Sequence, residues 1–138
     1  MVSEAESLRQ RAVELGEAGS SAAARELEAL LQNSTPMVRR AAASALGKIL
    51  DRTFGLAGTL VVPLTFAIQK EERPQVLQYM LKTLRKCADS LTVLQLDVLM
   101  DIVRNPNQPP YVRDAANETI AAAEAAQQKR QARLTHWC

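Results

Sequence analysis

Pro36-Met37-Val38-Arg39-Arg40-Ala41-Ala42-Ala43-Ser44-Ala45-Leu46-Gly47-Lys48-Ile49 decides the fold, because its opening returns as Pro74-Gln75-Val76 and again as Pro110-Tyr111-Val112. The spacings are 38 and 36 residues, which is the period of stacked helical repeats. Counted from each proline, position +2 is Val38, Val76 and Val112, and position +6 is Ala42, Met80 and Ala116. Position +9 is Ala45, Thr83 and Thr119, +10 is Leu46, Leu84 and Ile120, and +13 is Ile49, Cys87 and Ala123. At 100° per residue these five positions fall within an arc of about 100°, the width of a buried helical stripe.

Each proline also stands where a helix tolerates it. At the first helical position its missing N–H removes no bond, and its fixed φ suits the helix. Thr35 before Pro36 is a suitable N-cap. These signals predict helices over about 36–51, 74–88 and 110–127. Ahead of each lies another segment with apolar residues at helical spacing. The first, about 21–32 after a cap at Ser20 or Ser21, turns Leu27, Leu30 and Leu31 inward. The second, about 60–70, turns in Leu60, Leu64, Ala67 and Ile68, with Pro63 in its opening turn. The third, about 91–104 after a cap at Ser90, turns in Leu96, Leu99, Met100 and Val103. A further helix over about 4–16 begins at the capping box Ser3-x-x-Glu6 and ends near Gly16 and Gly19. Its apolar line is thin (Ala5, Leu8, Ala12, Leu15), which suits a terminal cap with one side wet.

The expected fold is therefore all-α: an α-solenoid of about three helical hairpins plus an N-terminal capping helix. One repeat domain spans 1–128, with the capping helix at 4–16, repeats at about 20–51, 58–88 and 90–127, and a basic tail at 129–138. The quoted stretch resembles the second helix of a HEAT repeat, of the kind found in phycobilisome lyase-like HEAT proteins. There the pattern is proline, a spacer, valine-arginine, alanines and leucine-glycine. Pro110-Tyr111-Val112-Arg113-Asp114-Ala115-Ala116 repeats the opening, whereas the middle copy departs with Leu77 and Arg85 where arginine and glycine are expected. The resemblance covers roughly residues 20–126. It implies that the second helices line a concave surface, and it includes relatives that act as scaffolds, adaptors, nucleic-acid binders and a few bilin lyases.

Composition agrees with packed helices. Hydrophobic residues make up 47%, charged residues 23% and aromatics 4%, so residues that favour sheets are scarce. No apolar run approaches the ~18 to 20 residues that span a bilayer. Two cysteines make no disulfide framework, and a reducing cytoplasm is the expected compartment. Charge is uneven. Residues 1–32 carry three basic and six acidic side chains, 33–88 nine and three, 89–128 two and six, and 129–138 three and none.

The basic middle supplies the candidate site. Arg40, Lys48, Lys82, Arg85 and Lys86 lie on the second helices away from the buried stripe. A positive face attracts an acidic protein segment or a nucleic-acid backbone. Lys48, Lys82, Arg85 and Lys86 also sit near helix C-termini, where a cation is favoured without any partner. Asp114 and Glu118 on the third copy interrupt a long nucleic-acid track. Tyr79 and Tyr111 lie off the buried stripe, open either to packing between repeats or to contact with a partner. His136 and Cys138 are a His-x-Cys pair short of the about four ligands of a structural zinc site. Cys87 aligns with core positions. The single histidine lies near the end, and the five glycines form no phosphate loop. No catalytic residue, metal or cofactor is therefore expected. The predicted role is a scaffold or adaptor that binds a protein partner; nucleic-acid binding and a bilin lyase-like or chaperone role are the alternatives.

Overall fold

Among the described residues, three of seven α-helices begin at Pro36, Pro74 and Pro110. The protein is described by a computed structural model covering residues 2–53 and 55–137, without the side chain of Trp137. In chain order the helices are α1 (Glu4–Ala18), α2 (Ser21–Leu30), α3 (Pro36–Arg52), α4 (Ala57–Lys70), α5 (Pro74–Arg85), α6 (Val93–Arg104) and α7 (Pro110–Trp137), with a 3-10 turn at Ala88–Ser90. No strand occurs among the described residues. The fold is an α-solenoid of stacked hairpins, α2–α3, α4–α5 and α6–α7, led by α1.

The proline-led helices pack in a row. Helix α1 joins them: α1 lies against α3, α3 against α5, and α5 against α7. The first helices α2, α4 and α6 form the other row, whose members touch one another only sparsely. The inner row α1, α3, α5 and α7 is thus the closely packed side of the stack.

The inner row closes through position +9. Ala45 approaches α1 so nearly that a Cβ on Gly16 would stand 2.9 Å from its own Cβ. Thr83 Oγ1 donates to the Ala43 carbonyl at 2.7 Å, while the single Thr119 hydroxyl proton is shared between the Ala115 carbonyl of its own helix at 2.8 Å and the Leu81 carbonyl at 3.2 Å. Ala43 and Leu81 both stand at +7, so the same two positions of the repeat meet one repeat later. Of the fifteen stripe residues all are buried except Ile120, which is half-buried. Its equivalents Leu46 and Leu84 are covered by the following repeat, and no later repeat covers Ile120 among the described residues.

A second contact joins +3 of the first repeat to the loop of the next. Arg39 at +3 donates through Nε to both Glu71 carboxylate oxygens, at 2.8 and 3.1 Å, and through Nη1 to the Asn33 carbonyl at 2.9 Å. The side chains are only 17% and 2% exposed, so this pair is shielded from water and salt. The middle repeat places Leu77 at +3 and the third repeat answers with the uncharged Asn107, three residues before its proline. Arg113 repeats Arg39 in the last helix, and its buried Nε has no hydrogen-bond partner.

Several local expectations shift. Helix α4 starts three residues before the predicted 60, because the Leu56 carbonyl accepts from the amides of Thr59 and Leu60 and from Thr59 Oγ1. Pro63 therefore sits inside the helix. The carbonyl it leaves unpaired belongs to Thr59, which is exposed, so water replaces the lost bond. Helix α6 is capped by Thr92, not Ser90. Thr92 and Gln95 form a capping box, while Ser90 ends the 3-10 turn. Thr35 holds the N-cap position of α3 without a side-chain cap bond; its amide instead donates to Asn33 Oδ1. Helix α1 reaches Ala18 and stops at Gly19, whose φ of 69° is left-handed. Helix α7 extends ten residues past the predicted 127, unbroken across the expected body–tail division.

Denaturant unfolding should register these contacts. Leu46→Ala and Leu84→Ala, at fully buried positions, should each cost about 2–5 kcal/mol, and Ile120→Ala distinctly less. Glu71→Ala strands Arg39 and should cost about 3 kcal/mol, whereas the paired change Arg39→Met with Glu71→Leu should cost less than that single change.

Candidate binding groove

Residues of α1, α3 and α5 enclose a groove. Its volume is about 320 Å3. Val13, Met37 and Ala41 form an apolar floor, and Arg9, Arg40, Lys48 and Tyr79 stand around it. Each residue arrives by the same helical logic. Arg40, Ser44 and Lys48 are spaced by four on α3 and so share its face away from the buried stripe. Tyr79 holds the adjacent position on α5, half-buried at the edge of the stripe.

Tyr79 organises the cations. The Arg40 guanidinium lies 4.7 Å from its ring centroid and donates through Nη2 to its hydroxyl at 3.2 Å. Lys82 Nζ stands 5.5 Å from the same ring. A ring between two cations holds them by its negative face. The hydrogen bond and charge of Arg40 hold the Tyr79 phenol below its ordinary value, with a smaller contribution from Lys82. No carboxylate lines the groove. Lys48 and Lys82 have no ion-pair partner among the described residues, and Arg9 pairs with Glu6 at 3.2 Å on the rim.

The five residues singled out from the sequence thus divide. Arg40 and Lys82 stand at the Tyr79 ring, and Lys48 lines the same groove as Arg40 and Tyr79. Arg85 meets Glu118 at 3.2 Å, and Lys86 meets Asp51 at 2.6 Å and the Gly47 carbonyl at 3.3 Å. Those two charges are answered within the stack. Arg9, Val13 and Met37 were not visible as site residues, since their place depends on α1 joining the inner row. The signal that could have found them is Gly16, a small residue where two helices cross closely.

Cys87 is buried, and burial pushes its thiol up to about 12, where the reactive thiolate is rare. His136 is exposed on α7; Cys138, its proposed companion, lies outside the described residues. No group of three His, Cys, Asp or Glu among the described residues is placed to hold a metal. None of the described helices is long and apolar enough to cross a membrane.

The Arg40–Tyr79 contact is open to titration. Arg40→Ala removes the group that favours the phenolate, so the tyrosinate ultraviolet absorbance of Tyr79 should appear at higher pH than in the native chain. An unchanged titration curve would contradict the contact.

Among known families, residues 25–52 match the one described as HEAT repeat. No curated protein and no solved structure matches the chain. The match runs from within α2 to the end of α3, the hairpin that contributes Arg40 and Lys48 to the groove. The chain is thus an α-solenoid with a HEAT-repeat motif in its first hairpin.

Proposed function

We propose that the protein is a non-catalytic HEAT-type scaffold or adaptor that docks an acidic segment of a protein partner in the groove over α1, α3 and α5. The observation that carries this reading is a groove lined by Arg9, Arg40, Lys48 and Tyr79 above an apolar floor, with no carboxylate among its described lining residues and with Lys82 beside the Tyr79 ring. Carboxylates of an extended segment would meet the cations, while an apolar side chain would settle on Val13 and Met37. Such a groove favours encounter with an anionic chain before contact is made. Arg85 and Lys86 contribute less in this reading, because Glu118 and Asp51 already answer them.

A nucleic-acid track is the weaker reading, since Asp114 and Glu118 continue the inner row with negative charge and few aromatics are available for stacking. The closer likeness to phycobilisome lyase-like HEAT proteins rests on sequence pattern alone. The buried free thiol of Cys87 suits the reducing cytoplasm in which we place the protein.

A fluorescent glutamate-rich peptide with one leucine, titrated with the protein and read by anisotropy, tests the proposal. Arg40→Glu or Lys48→Glu should weaken binding by about tenfold or more at low salt, and Arg85→Glu should change it little. Absence of binding at low salt, or equal loss in all three variants, would overturn it.

A further inference from the structure

We infer that the exposed face of α7 is a pairing surface for a second copy of this chain, with the two α7 helices antiparallel. The helix continues well beyond the body it belongs to. Its last buried residue is Ala126, and residues 127–136 are all exposed, with no described residue of this chain packed over them. Arg130 Nη1 donates to the Asp89 carbonyl at 3.0 Å, which ties the start of the extension back to the turn before α6.

The charges on the extended helix are ordered along it. Asp114 and Glu118 stand four apart in the first half, and Lys129 and Arg133 four apart in the second. At 100° per residue they share one side of the helix with Ala121 and Ala125, within an arc of about 120°. All six residues are exposed, so this side faces away from the chain's own core. In an antiparallel pair, residues whose numbers have the same sum stand opposite each other. A two-fold axis between Ala123 and Glu124 puts Asp114 against Arg133 of the other copy and Glu118 against Lys129. The same axis sets Ala122 against Ala125 at the centre, where small side chains let the helices approach closely.

The surface is therefore complementary to itself under a two-fold axis, which is the requirement of a symmetric dimer. Running the helices parallel would instead set acid on acid and base on base. Arg85 on α5 already meets Glu118 at 3.2 Å, with both side chains more than half exposed, so the carboxylate keeps room for a second cation. This pairing is independent of the groove over α1, α3 and α5, and either can fail without the other.

Sedimentation velocity on the full chain tests it. The native protein should sediment as a dimer, twice the 15.1 kDa of the chain, and dissociate as salt is raised. Asp114→Lys with Glu118→Lys should raise the dissociation constant by about tenfold or more, as should Lys129→Glu with Arg133→Glu. Mixing the two variants, or combining all four changes in one chain, should restore pairing. A native chain monomeric at low salt would overturn the proposal. So would a dimer indifferent to the charge reversals, or a loss of pairing that neither the mixture nor the fourfold variant recovers.

Discussion

Everything in this stack depends on how closely one inner helix approaches the next. The approach is set at a single position of the repeat, occupied by Ala45, Thr83 and Thr119. Ala45 needs a partner without a side chain and finds Gly16; the threonines need a carbonyl and find those of Ala43 and Leu81. A bulkier residue there would push the inner row apart. Arg9, Arg40 and Tyr79 would then no longer surround one groove. The proposed docking groove is in this sense a consequence of a packing constraint.

A second level of organisation links charge to position. In the first repeat the arginine three residues after the proline is answered by a carboxylate three residues before the next proline, as Arg39 is by Glu71. The middle repeat has Leu77 at the equivalent position, with the exposed Asn107 three residues before the next proline. Cations off this axis behave differently. Arg85 and Lys86 are neutralised by side chains of neighbouring helices, while Lys48 and Lys82 have no ion-pair partner among the described residues. Depth and partner, more than net charge, separate structural cations from available ones.

The inner row of prolines, valines and small residues was legible because helical periodicity and a repeating phrase report the same stripe. Placement of α1 was not, since its membership of the inner row comes from the Gly16–Ala45 crossing, a tertiary contact between segments of different pattern. The end of α7 was missed for a related reason. An apolar stripe marks a helix only where it is buried, and the stripe stops at Ala126, yet Gln, Lys, Arg and Ala beyond it are good helix formers. Ser90 and Thr92 are both competent caps; Gln95, which completes the box with Thr92, decides between them. At the site, the sequence pattern located the cations, but which of them are neutralised depends on Asp51 and Glu118 reaching across from other helices.

Nuclear Overhauser contacts of the two buried threonines test the packing rule most directly. The account predicts cross-peaks from the Thr83 side chain to Ala43 and Gly47 of α3, and from the Thr119 side chain to Leu81 of α5. It would be contradicted if either threonine showed contacts confined to its own helix or to its hairpin partner, because the inner row would then not be joined at this position.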